Sequence, residues 1–175
     1  YDINQLQLSH EIIHDLREIK TEKVCAQVNE LVNLAHSEEI NEVLLWDHSL
    51  YDIDYYPERF RTGPGGTIDL DNTEFWEWLK DDYRQMLDRV SEADGLVLTF
   101  IETGAYAERQ FSKKMKSSEE KLAAVVNAIS DVLIGERKKK LYIRTFAYSE
   151  EEYKGTTGCI EYLKYDEVIL MMKET

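Results

Sequence analysis

The sequence predicts an α/β fold that is part of a (β/α)8 TIM barrel, with about four to five parallel strands and intervening helices. Three observations lead there. Short apolar runs recur at Glu42–Trp46, Leu96–Ile101, Leu141–Phe146 and Glu167–Met172, and segments of helical apolar spacing separate them. Strand–helix–strand alternation means parallel strands joined by right-handed crossovers. The chain has 175 residues, whereas a whole barrel takes about 250. Residues 1–175 therefore read as one partial barrel domain, a fragment of a larger catalytic domain.

The elements follow in order. Gln5-Leu6-Gln7-Leu8 alternates like a strand, and Thr21–His36 carries Val24, Val28, Leu31, Val32 and Ala35 on one helical face. In Glu42–Trp46 the apolar residues are consecutive, which suits a parallel strand covered on both sides. A long loop, His48–Leu70, holds Tyr51, Tyr55, Tyr56 and Phe60, then Gly63-Pro64-Gly65-Gly66, which must turn. The next helix opens with Asp71 as N-cap and Glu74 three residues on, and buries Phe75, Leu79, Tyr83, Met86, Leu87 and Val90. After Leu96–Ile101 comes a loop with Gly104 and the basic residues Lys113, Lys114 and Lys116. Ser117 with Glu120 forms a capping box for a helix through Leu122, Val125, Val126, Ile129 and Leu133, which Gly135 stops. Ser149–Lys154 reads as a short helix between the last two strands.

Composition narrows the partners. With 21 Lys+Arg against 35 Asp+Glu the formal charge is −14, the wrong sign for nucleic acid or an anionic membrane. No apolar run approaches the roughly 18 residues of a membrane span. Cys25 and Cys159 are too few for a disulfide scaffold and lack metal-ligand spacing. Gly63-Pro64-Gly65-Gly66 is no phosphate loop, because no Lys-Ser/Thr follows and Asp69 and Asp71 would repel phosphate. No cofactor is expected.

Barrel chemistry sits just beyond the C-terminal strand ends. After Trp46 come Asp47 and His48; after Ile101 comes Glu102; Arg144 lies within the end of the third apolar run, and Lys173 and Glu174 follow Met172. A strand must end in something polar, so one such residue carries little, but ionisable groups at every exit point to a functional rim. Two carboxylates flanking a sugar supply the acid and the base or nucleophile of glycoside hydrolysis. Glu102 is the expected acid, since it follows six mainly apolar residues where burial would raise its pKa. Arg144 and Lys173 suit an anionic group on the substrate, and Trp46, Tyr51, Tyr55 and Tyr56 offer stacking faces for sugar rings.

A competing motif is His10-Glu11-Ile12-Ile13-His14, the H-E-x-x-H pattern of zinc peptidases. Only nine residues precede it, leaving no room for upstream substrate-binding strands. The alternation of Gln5–Leu8 instead places His10 and Glu11 at a strand end. No metal is expected.

Gln7-Leu8-Ser9-His10-Glu11-Ile12, Leu44-Leu45-Trp46-Asp47-His48, Asp54-Tyr55-Tyr56-Pro57-Glu58-Arg59-Phe60 and Leu98-Thr99-Phe100-Ile101-Glu102-Thr103-Gly104 resemble a group of bacterial glycoside-hydrolase-like barrels, similar to the catalytic barrels of alpha-glucuronidases. The resemblance runs through most of the chain, to Met171-Met172-Lys173-Glu174-Thr175. It implies that Glu102 is the general acid and that the partner carboxylate comes from a later strand, for which Glu174 is the candidate. It also implies that His10 is a strand-end residue. The expected function is therefore a carbohydrate-active glycoside hydrolase with Glu102 and Glu174 as catalytic residues and His10, Glu11, Trp46, Asp47, His48, Tyr55, Arg144 and Lys173 around the substrate. The alternatives are a non-catalytic carbohydrate-binding module and, behind it, a zinc peptidase. Half a barrel leaves open strand edges, so the remaining strands are expected from the same parent chain or from a second copy.

Overall fold

The computed structural model describes residues 3–9 and 22–172. Five strands, β1 (Gln5–Leu8), β2 (Glu42–His48), β3 (Gly95–Thr99), β4 (Lys140–Arg144) and β5 (Ile169–Met171), form one sheet in the order β1-β2-β3-β4-β5, every neighbouring pair parallel. Between them lie α1 (Glu22–Ser37), α2 (Thr73–Arg89), α3 (Ser118–Ser130) and α4 (Glu150–Gly158). A doubly wound sheet reverses its strand order at a central crevice; this sheet runs straight through without reversal.

Alternation along each strand separates two environments. Val43, Leu45, Leu96, Leu98, Leu141 and Ile143 join one core with Val28 and Val32 of α1, Phe75 and Leu79 of α2, and Val125, Val126 and Ile129 of α3. The helices of the described residues thus cover the same face, and neighbours pack in sequence, α1 on α2, α2 on α3, α3 on α4. Ion pairs tie the outer layer together. Arg84 grips Glu136 through two bonds of 2.8 and 2.7 Å, Arg137 reaches Asp88 at 2.6 Å, and Lys80 reaches Asp131 at 3.1 Å. Glu136 and Asp131 belong to a π-helical turn, Asp131–Glu136, that extends α3 beyond its expected course, so Gly135 does not stop the helix.

The other face carries Gln5, Gln7, Glu42, Leu44, Trp46, His48, Val97, Thr99, Tyr142, Arg144 and Met171. Leu44 and Val97 are fully buried although they lie outside the helix-side core. The reason is curvature. Gln7 Nε2 lies 3.6 Å from Met171 Sδ and Gln5 Nε2 lies 3.4 Å from the Tyr142 hydroxyl, so β1 touches β5 and β4 across the concave side. In a flat sheet β1 and β5 would stand four spacings apart, about 19 Å. Glu42 anchors this interior. It accepts from Gln5 at 3.0 Å and from Tyr142 at 2.8 Å, and pairs with Lys140 at 3.2 Å. Burial works to raise its pKa, but the hydrogen bonds from Gln5, Tyr142 and Lys140 outweigh burial and hold the carboxyl below its usual range. The same burial and the Glu42 charge push the Tyr142 hydroxyl up to about 12.

Two expectations are corrected at the element ends. The N-cap of α2 is Asn72, whose side chain accepts from the Glu74 N–H at 2.9 Å. Asp71 instead accepts from the Ser112 hydroxyl and the Lys113 N–H, both at 2.6 Å, and so pins the loop before α3. Strand β2 runs through His48 rather than ending at Trp46, and β3 ends at Thr99 rather than Ile101. The Ser117–Glu120 capping box of α3 forms as expected, and Ser149 with Glu152 makes a second one at α4.

Replacing Asn72 with Ala should cost about 1 kcal/mol of stability in urea denaturation; no change would mean that the cap contributes nothing. Glu42 tests the interior. Its folded pKa lies below the unfolded value, so its contribution is full above the unfolded pKa and is lost as pH falls through the folded one. The stability gap between wild type and Glu42→Gln should therefore be widest near neutral pH and shrink in acid; a gap that stays constant across that range would contradict the network.

Candidate functional site: the rim beyond β2, β3 and β4

The same curvature gathers the C-terminal ends of the strands. In register, His48 pairs with Thr99 and Arg144 with Met171. Trp46 and His48 follow Glu42 and Leu44 on the concave face by alternation. The Arg144 guanidinium stacks 4.5 Å from the Trp46 ring centroid and lies 5.7 Å from that of Phe146. Phe146 meets Tyr148 edge to face at 5.2 Å, and the Tyr148 hydroxyl donates to Glu102 Oε1. Trp46, Arg144, Phe146, Tyr148 and Glu102 therefore form one continuous strip from the interior to solvent. Among the described residues Arg144 forms no salt bridge, so stacking fixes its plane while its N–H edge stays available to a ligand.

Glu102 is held by its backbone. Its φ is 59°, in the left-handed region that a side chain rarely occupies. The segment that carries it is clamped on both sides. Thr103 Oγ1 donates to the Leu50 carbonyl at 2.5 Å. A Cβ on Gly104 would sit 1.8 Å from Asp52 Oδ1 and 3.1 Å from its Cα, so only glycine lets the two loops approach this closely. Strain of order 1–3 kcal/mol tends to be retained where it serves a site. The expected burial of Glu102 is not found: the side chain is exposed, because β3 ends at Thr99 and the chain has already turned outward.

Other expected residues separate from this strip. Asp47 lies inside β2, and alternation sends it to the helix side. There it is 8% exposed, accepting from the Tyr83 hydroxyl at 3.1 Å and from the His48 N–H at 2.8 Å. Tyr55 donates to Asp82 of α2 at 2.7 Å and packs edge to face against Tyr51, Tyr56 and Trp78 at 5.5–5.8 Å. Its cluster belongs to the packing of the 49–72 loop on α2, and not to the stack of Trp46 and Arg144. His48 is buried at the rim beside Thr99. His10, Glu11, His14, Lys173 and Glu174 lie outside the described residues.

Two groups escaped sequence reasoning. Tyr148, 68% exposed, holds the expected acid; an aromatic two residues past an apolar run is its only signal. Glu108 lies in the short turn Ala107–Arg109 and lines a cavity of about 390 Å³ with Phe100, Ile101, Leu122, Glu152 and Thr156. Burial raises its pKa. No periodicity or motif marks it in the sequence.

The remaining chemistry is limited. Cys25 and Cys159 are buried thiols, and burial pushes Cys159 up to about 12, far from a reactive thiolate. Among the described residues no group of three or more His, Cys, Asp or Glu side chains is placed to hold a metal ion, and no helix is long and apolar enough to cross a membrane. No protein-family model matches the chain, and no curated protein matches it either.

The backbone at Glu102 is directly testable. Glu102→Gly should match or exceed wild-type stability, and Glu102→Val should lose about 1–2 kcal/mol in chemical denaturation. The reverse order would show that the left-handed conformation is not formed.

Proposed function

We propose that this chain is a carbohydrate-active glycoside hydrolase and that its sheet is the wall of a partial (β/α)8 barrel. Consecutive strand order, helices on one face and the β1–β5 contact support the barrel. In a closed eight-stranded barrel the first and fifth strands stand opposite one another, the relation of Gln7 to Met171. The open edges of β1 and β5 would be completed by further strands of a longer chain or by a second copy.

The observation that carries the functional reading is the strip of Trp46, Arg144, Phe146, Tyr148 and Glu102 at the strand ends. A sugar ring presents apolar C–H faces and a hydroxyl edge, which match aromatic faces interleaved with a guanidinium and a carboxylate. In this reading Glu102 is the proton donor. Tyr148 positions it, Trp46 and Phe146 take the ring, and Arg144 holds a hydroxyl or anionic substituent. Glu174 remains the proposed partner carboxylate, and His10, Glu11 and Lys173 remain proposed substrate contacts from their place in the sequence.

Exposure of Glu102 favours a second reading, a carbohydrate-binding module without turnover, because an acid at work in neutral solution is usually raised by burial. One experiment separates the two. A panel of aryl glycosides and oligosaccharides is assayed for hydrolysis and, by calorimetry, for binding. The hydrolase reading expects turnover that falls at least about 100-fold in Glu102→Gln while binding survives. Binding with no turnover in either protein selects the module. Turnover unchanged in Glu102→Gln refutes the assignment of Glu102.

A further inference from the structure

We propose that the cavity between the Ala107–Arg109 turn, α3 and α4 is a separate site for a small organic ammonium compound, whose cationic head pairs with Glu108 and whose apolar part lies on Phe100, Ile101 and Leu122. The inference stands on this cavity alone and does not depend on the carbohydrate reading. At about 390 Å³ the cavity falls within the range that holds small ligands, and its lining mixes an apolar wall with a few polar groups.

Glu108 is a half-buried carboxylate in the wall of the cavity. Among the described residues its side chain has no salt bridge, and its only hydrogen-bond donor is its own backbone N–H. Arg109, which also lines the cavity, and Lys121 lower its pKa from nearby, but neither forms an ion pair with it. Arg109 stacks 4.1 Å above the Tyr106 ring, and Lys121 Nζ donates to the carbonyls of Glu108 and Gln110 at 3.1 and 2.7 Å. Across the cavity Glu152 spends one oxygen on the N–H groups of Tyr148 and Ser149, at 2.9 and 3.2 Å, and its charge adds to burial in disfavouring an ionised Glu108. A bound cation would answer both effects.

The chemistry of the ligand follows from what the cavity lacks. A calcium ion takes six to eight oxygen ligands, and among the described residues no group of three or more His, Cys, Asp or Glu side chains is placed to hold a metal ion. An anion would meet three carboxylates, Glu108, Glu151 and Glu152, against one cation, Arg109, in the described lining of a chain of formal charge −14, and the first turn of α4 is already capped by Ser149. An ammonium group on an apolar body satisfies the carboxylate and the wall together.

The test uses benzylamine, with benzyl alcohol and benzoate as controls, followed by NMR of the full chain. Benzylamine should give saturable shifts at Leu122, Gly155 and Thr156, and benzoate none. Glu108→Gln should weaken benzylamine at least about tenfold and leave benzyl alcohol unchanged. Gly155→Leu, which adds side chain to the cavity from α4 where an added Cβ would already stand 3.4 Å from Leu122, should abolish both. Equal affinity of wild type for benzylamine and benzyl alcohol, undiminished benzylamine affinity in Glu108→Gln, or shifts confined to other parts of the chain would each overturn the proposal.

Discussion

A parallel sheet needs cover on both faces, and the four helices of the described residues lie on one of them. Among the described residues the concave side is closed by the strands' own side chains, and bending brings those side chains into contact. Gln5 reaching Tyr142 and Gln7 reaching Met171 express that requirement. Polar groups of this interior hold one another: Glu42 is bonded by Gln5 and Tyr142 and paired with Lys140. Breaking one member would strand the others in a dry interior, which costs far more than an exposed pair is worth.

Bending also sets what happens at the strand ends. It turns Trp46 of β2 and Arg144 of β4 toward one another across β3, so that a tryptophan and a guanidinium from separate strands stack. The loops after β2 and β3 then lock through Thr103–Leu50 and through the approach of Gly104 to Asp52. Glu102 is left in a strained backbone that the surrounding contacts over-determine. Rigid support beneath a solvent-facing carboxylate and an aromatic strip is the arrangement a rim site requires.

Much of the fold was legible in the sequence because its signals are local. The apolar runs of the three central strands, the helical spacing of Phe75, Leu79, Tyr83 and Met86, and the Ser117–Glu120 box each act within a few residues, and the structure uses them as read. The cap of α2 was misread by one position because Asp71 and Asn72 are both good caps. The choice between them falls to Ser112 and Lys113, a long-range contact that no local pattern records. The strand limits were misread for a related reason. Asp47 looks like a strand-end residue, yet Tyr83 satisfies its carboxylate inside the fold and lets β2 continue through His48. The places of Trp46 and Arg144 near the C-terminal ends of their strands were legible from the apolar runs. Tyr148 and Glu108 were not, since their roles arise from packing between segments far apart in the chain.

The curvature of the sheet is the premise on which interior and rim both rest, and a nuclear Overhauser measurement reaches it directly. The side-chain amide protons of Gln7 should show a cross-peak to the ε-methyl of Met171, since Nε2 and Sδ lie 3.6 Å apart. A cross-peak from the Gln5 amide to the Tyr142 ring should accompany it. Cross-peaks from Gln5 and Gln7 to β2 alone, with none to β4 or β5, would mean an open sheet and would contradict the account.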